Sequence, residues 1–361
     1  MSLSIGIVGL PNVGKSTLFN ALTDNNILAA NYPFATIEPN TGIIAVPDER
    51  LAVLEEMYSA KKVIPATVTF VDIAGLVAGA SKGEGLGNKF LANIRECDAI
   101  VHVVRAFENG DVIHVSDTVN PKSDIETINT ELILADLQSI ERALPKLEKE
   151  MKSNPSAVKA SIEELKKLQN ALEQGKLVSE VYDVNTEVIQ DLQLLSAKPV
   201  IYVFNVDEAT LSDEAKKQSL AELVSPAQSI FICAKLEEEL RGLPAADAQE
   251  LLAAYNVEES GLSQLGRVAY QTLGLQSYLT AGVQEIRAWT IRAGSTAPQA
   301  AGVIHTDFEK GFIAAAIVDF DDLVETGSEA GAKAAGKLRT EGRDYVMRPG
   351  DVVEFRFNVS K

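Results

Sequence analysis

The sequence predicts an α/β protein with a mostly parallel sheet, an inserted helical coiled-coil hairpin and a small C-terminal α+β domain. Three observations predict it. Short, β-rich apolar runs alternate with helical patterns up to about Gly274. Between about Asp124 and Ser196 the alternation gives way to apolar residues spaced three and four apart. After about Leu275 the chain turns to short strands separated by Gly and acidic turns.

The apolar runs are Leu3–Val8, Ala66–Asp72, Ala99–Val104, Pro199–Asn205 and Ser229–Cys233. Continuous apolar strands with helices between them indicate a parallel sheet covered on both faces. The interruption carries Ile128, Leu132, Ala135, Ile140, Leu144, Leu147 and Met151, and then Val158, Ile162, Leu165, Leu168 and Leu172. These spacings mark two amphipathic helices, and Ser153-Asn154-Pro155-Ser156 marks the turn between them. High charge density and few aromatics favour a protruding antiparallel coiled coil over ordinary core helices. Pro145 is expected to kink or break the first helix. The last part, about 80 residues, reads as strands at Val283–Trp289, Gly302–Ile304, Phe312–Val318 and Val352–Asn358. The expected boundaries are 1–123 with 197–276, then 124–196, then 277–361. With 361 residues, two or three domains are the expectation.

Apolar residues make up 46 %, enough for a buried core. No apolar run is long enough to span a bilayer, and Met1–Gly9 carries no basic residue, so no membrane role and no secretory leader are expected. Cys97 and Cys233 lie in or beside apolar runs and read as free buried thiols of a reducing, cytoplasmic compartment. A net charge of -18 argues against broad, non-specific nucleic-acid binding.

Gly9-Leu10-Pro11-Asn12-Val13-Gly14-Lys15-Ser16-Thr17 fits the P-loop pattern G-x-x-x-x-G-K-S/T, follows an apolar strand and opens a helix. Its glycines let successive N–H groups face phosphate oxygens. Lys15 supplies a point charge to the β and γ phosphates, and Ser16 a hydroxyl to Mg²⁺. Asp72-Ile73-Ala74-Gly75 closes the next long apolar strand as D-x-x-G; the Asp reaches Mg²⁺ through water and the Gly75 N–H senses the γ-phosphate. Thr36 is favoured over Thr41 as a further metal ligand. Asn205-Val206-Asp207-Glu208 occupies the base-reading position. Guanine-specific sites have N-K-x-D there, so Val206 and Glu208 weaken a guanine reading without creating an adenine one. Cys233-Ala234-Lys235 takes the place of a second base loop.

With these motifs in place, the chain resembles the Obg-like ATPase (YchF) family of the translation-factor class of P-loop GTPases, over essentially its whole length. The resemblance rests on the P-loop, on Y-P-F-A-T-I-E-P-N at Tyr32–Asn40, on the glycine-rich stretch Asp72–Leu91, on the helical insert and on F-E-K-G-F-I-A-A at Phe308–Ala315. It implies a G domain that prefers ATP to GTP, with Mg²⁺ as metal. It also implies a C-terminal β-grasp domain of the TGS type, association with ribosomes, and RNA contact through the TGS-like domain. Phe107 flanks the base by the same resemblance.

Leu76 stands where many switch GTPases carry a water-orienting Gln. Another group must then hold the water. His102 lies inside an apolar run and His305 far from the P-loop in sequence; His114, in a polar loop, is the candidate catalytic imidazole beside Lys15 and Gly75. A monovalent ion such as K⁺ near Asn12, backbone groups or the ribosome are the alternatives. A guanine-nucleotide switch with a degenerate base site, and a scaffold that uses nucleotide as a structural ligand, are the competing functions.

Overall fold

In a computed structural model, the structure describes residues 3–24, 40–73, 86–108 and 119–358. The strands are β1 (Ser4–Val8), β2 (Thr41–Ala45), β3 (Val63–Ile64), β4 (Thr67–Asp72), β5 (Ala99–Arg105), β6 (Val200–Asn205) and β7 (Gln228–Ile232). They continue with β8 (Leu275–Thr280), β9 (Ile286–Arg292), β10 (Phe312–Asp319), β11 (Arg339–Glu341) and β12 (Asp351–Phe357). The chain forms two compact units, Met1–Ile43 with Thr69–Leu265, and Ile44–Val68 with Gly266–Lys361.

The first unit is built on a sheet of order β2-β4-β1-β5-β6-β7. β1 pairs in parallel with β4 and β5, β5 with β6, and β6 with β7. Every residue of β5 is buried, as is every residue of β6 after Val200, because helices cover both faces of a parallel sheet. β4 alternates, with Val68 and Phe70 inward. The edge strand β2, Thr-Gly-Ile-Ile-Ala, is absent from the sequence reading. His102 lies in β5 at 1 % exposure with its Nε2 unbonded, and burial lowers its pKa to about 3, so it is a neutral core histidine. Cys97 and Cys233 are free and buried.

The insert is a pair of helices, Pro121–Glu150 and Pro155–Glu173. Asn120 caps the first by accepting from Ser123 N–H, and each helix begins with a proline, whose missing N–H costs nothing there. Ile133, Ile140, Leu165, Leu168 and Leu172 form the shared apolar seam. Lys166 pairs with Glu148 at 3.1 Å near the turn. Pro145 does not break the helix, which runs through it to Glu150. Glu141 and Pro145 are both exposed, so water can satisfy the carbonyl that loses its partner. At the base of the insert, Asp136 is fully buried and accepts from Leu195 N–H (2.7 Å), Ser196 N–H (2.8 Å) and the Ser196 hydroxyl (2.7 Å). That triple acceptance pins the returning chain just before β6.

The second unit has a sheet of order β11-β10-β12-β8-β9-β3. β10 is antiparallel to β11 and β12, and β8 to β9; β12–β8 and β9–β3 are parallel. Gly302–Ile304, expected as a strand, is the last turn of a helix, Ala297–Ile304. The reason lies upstream: Thr296 and Gln299 form a capping box that starts a helix, and Ala297, Ala300 and Ala301 are small enough to lie flat on the sheet at 0 % exposure. Among the described residues no helix is long and apolar enough to cross a membrane.

Candidate nucleotide-binding site

The carboxyl ends of β1, β4, β5, β6 and β7 carry the expected motifs, at the edge where open α/β sheets bind ligands. After β1 the chain turns through Asn12, in the left-handed region at φ 63°, and Gly14 at φ 90°. Gly14 is required twice. Its φ suits glycine, and a Cβ there would lie 2.1 Å from Asn205 Nδ2. Leu18 N–H then bonds Gly14 O at 3.0 Å and the helix Lys15–Asp24 begins. Its N-terminal N–H groups and dipole favour an anion. Val13 is buried, Thr17 half-buried and Ser16 exposed.

Lys15 is 9 % exposed and donates to Ile73 O at 2.6 Å. Its Nζ lies 3.6 Å from Asp72 Oδ1. Burial lowers the Lys15 pKa, and the Asp72 charge opposes that shift. An ammonium has three donors, so protons beyond the Ile73 bond are available for phosphate. Asp72 Oδ1 is buried without a hydrogen bond, an acceptor suited to the water shell of a divalent cation. Among the described residues no three His, Cys, Asp or Glu side chains converge as a protein-only metal site.

Asn205 links the neighbouring loops at this end of the sheet. At 6 % exposure, its Nδ2 donates to Val13 O at 3.0 Å and its Oδ1 accepts from Ala234 N–H at 3.1 Å. One side chain thus ties the P-loop to the loop after β7. Ala106 N–H bonds Asn205 O at 2.8 Å, which brings Phe107 to the same end of the sheet. Arg105, 1 % exposed, lies 4.5 Å from the Phe107 ring centre and donates from Nε to Phe107 O at 3.2 Å. Val206 is 2 % exposed and packs into the core with Phe204, Leu211 and Leu236. Glu208 opens a short helix, and its Oε1 is 2.8 Å from Lys235 Nζ. Burial raises the Cys233 thiol pKa, so it sits as a neutral thiol in the core with Phe204 and Leu236. Thr36, Gly75 and His114 lie outside the described residues.

Three features escaped sequence reading. Arg105 ends a strand that is apolar apart from His102, and that one charge was its signal. The Glu208–Lys235 pair joins opposite charges on adjacent motif loops. Glu237 is 6 % exposed, accepts from Gly261 N–H at 2.6 Å, and has its pKa raised to about 7 by burial; within the run Glu237-Glu238-Glu239 nothing marked it as the inward one.

Two family models match. One, described as a 50S ribosome-binding GTPase, covers residues 4–135; the C-terminal model of YchF GTPases, described as a protein of unknown function (DUF933), covers residues 275–358. The chain is 51 % identical over 363 residues to the "Ribosome-binding ATPase YchF" of Haemophilus ducreyi, covering 99 % of this chain and 100 % of that one. It is 49 % identical over 366 residues to the protein of the same name from Bacillus subtilis, with the same coverage. A solved structure described as the Schizosaccharomyces pombe YchF GTPase superposes with a TM-score of 0.87 at 40 % identity, over 98 % of each chain. Similarity over essentially the whole length to these relatives, together with a P-loop sequence after β1, has one common explanation: the chain belongs to the YchF family.

Proposed function

We propose that this protein is a nucleotide-dependent switch of the cytoplasm that binds and hydrolyses ATP, GTP less well, and associates with the ribosome. The observation that carries the nucleotide reading is Lys15, buried between Ile73 O and Asp72 at the start of a helix. The P-loop N–H groups of 12–17 and Lys15 hold the phosphates. Asn205, Val206, Glu208 and the loop Cys233-Ala234-Lys235 form the base side, with Phe107 as its flank. Val206 is turned into the core, so no aliphatic stem covers a base there as a Lys would; this weakens the guanine reading, and the preference for ATP is supported by the relatives named as ATPases.

Ser16, Asp72 through water and Thr36 are the residues to hold Mg²⁺, and Asp72 Oδ1, buried 3.6 Å from Lys15 Nζ but without a hydrogen bond, supports that assignment. Bound there, the ion neutralises phosphate charge. Gly75 senses the γ-phosphate, and His114 positions the attacking water, with K⁺ near Asn12, backbone groups or the ribosome as the alternatives. The helical hairpin 124–196 and the C-terminal module 277–361, read as TGS-like, are the parts that dock on the ribosome, the latter also on RNA. The relatives named as ribosome-binding ATPases support ribosome association.

Calorimetric titration of the purified protein with ATP and GTP in Mg²⁺ tests this, beside Lys15→Ala. ATP should bind more tightly, and Lys15→Ala should weaken binding and abolish turnover without unfolding the chain. Undiminished turnover in Lys15→Ala would refute the phosphate site. A tenfold preference for GTP, about 1.4 kcal/mol, would refute the base choice.

A further inference from the structure

Two carboxylates stand beside the base position, and neither is an unclaimed acceptor. Asp207 caps the helix Glu208–Leu211: it accepts from Thr210 N–H at 2.9 Å and lies 3.9 Å from Lys216. Glu208, at the position of the acidic guanine reader, has Oε1 2.8 Å from Lys235 Nζ. Lys235 comes from the loop after β7, the strand beside β6, and is flanked by Glu239 at 3.8 Å. The loop itself is held by Asn205 through Ala234 N–H. The pair therefore bridges the two base loops with its backbone already fixed.

The two purines ask opposite things of this position. Guanine presents N–H donors, N1–H and the 2-amino group, and needs a free carboxylate to receive them. Adenine presents the N1 lone pair and one amino group, so a free carboxylate repels part of its edge. A lysine that engages the carboxylate removes guanine's acceptor and lessens the repulsion toward adenine. The Lys235 side chain is 70 % exposed and that of Glu208 33 %, so the pair contributes little to stability. Its consequence is selection, because specificity is a difference between two affinities.

We infer that Lys235 is a specificity-determining residue: by pairing with Glu208 it withdraws the guanine-reading carboxylate and turns the base site toward adenine. The inference rests on the reading of this site as a nucleotide site. The test is titration of the full-length protein with ADP and with GDP in Mg²⁺, in the parent, Lys235→Ala, Lys235→Arg and Lys235→Ala/Glu208→Gln. Lys235→Ala should raise the GDP-to-ADP affinity ratio about fivefold or more, chiefly through tighter GDP. Lys235→Arg keeps the pair and should keep the parental ratio. The double variant has no carboxylate to release and should lose the gain. A ratio unchanged in Lys235→Ala, an equal change for both nucleotides, or a gain that survives Glu208→Gln would overturn the inference. A parent that binds neither nucleotide would remove the nucleotide reading together with it; a parent that binds ADP but fails any of the other comparisons removes the inference alone.

Discussion

Asn205 is the residue whose replacement separates the two halves of the site. Its amide donates to Val13 O at 3.0 Å and accepts from Ala234 N–H at 3.1 Å, at 6 % exposure. Asn205→Ala leaves two buried backbone groups without partners, each costing about 1–3 kcal/mol. Water entering the opened corner recovers part of that, so a net loss of about 2–4 kcal/mol is expected. The same change frees the P-loop turn at Asn12 and Gly14, and ATP affinity should fall at least about tenfold, or about 1.4 kcal/mol. Asn205→Asp is the sharper comparison. It keeps the acceptor for Ala234 N–H and nearly the same shape, but sets an oxygen against Val13 O where a donor stood. It should therefore cost as much as the Ala variant or more. Urea unfolding followed by circular dichroism, with calorimetric ATP titration, measures both effects. An Asn205→Asp protein with parental stability and affinity would refute the clamp.

Two further outcomes follow. His114→Ala should lower ATP turnover at least tenfold with affinity nearly unchanged, since a positioned acid–base group contributes about 10² to 10⁴ in rate; turnover at the parental rate would exclude an imidazole as the water-positioning group. Glu237, held at a pKa of about 7 against an ordinary 4.5, contributes stability that is fully present below pH 4.5 and lost as pH rises through about 7, a change of about 3 kcal/mol. Glu237→Gln should flatten the fall in unfolding midpoint across that window, and parallel pH profiles for parent and variant would refute it.

What was legible in the sequence divides along a physical line. β1, β5 and β6 are continuous apolar runs because both faces are covered, and a one-dimensional pattern records that directly. β2 is short and half-exposed at an edge, and β3 has two residues whose pairing partner β9 lies more than 200 positions away, so neither leaves a local trace. The misreading of Gly302–Ile304 has the same root: three residues suit a strand or a helix end equally, and the deciding signal was the cap at Thr296. Pro145 does not break its helix, since its cost there depends on whether water reaches the freed carbonyl.

The site repeats this division. Residues whose type is dictated by backbone geometry were readable: Gly14 needs φ 90° and has no room for a Cβ beside Asn205, so the glycine spacing, with a strand before it and a helix after it, marks the P-loop turn that the structure shows. Residues defined by partners were not. Glu208 looks like a guanine acceptor in isolation, and only the adjacency of β6 and β7 places Lys235 against it. Phosphate binding is performed mainly by backbone N–H groups and therefore constrains sequence tightly. Base choice is performed by side-chain pairs that many combinations can satisfy. On the proposed reading, a motif can be intact at the phosphates while its base preference turns on one lysine 27 residues beyond Glu208, and substitution at that lysine is expected to shift the GDP-to-ADP affinity ratio without touching the groups proposed to hold the phosphates.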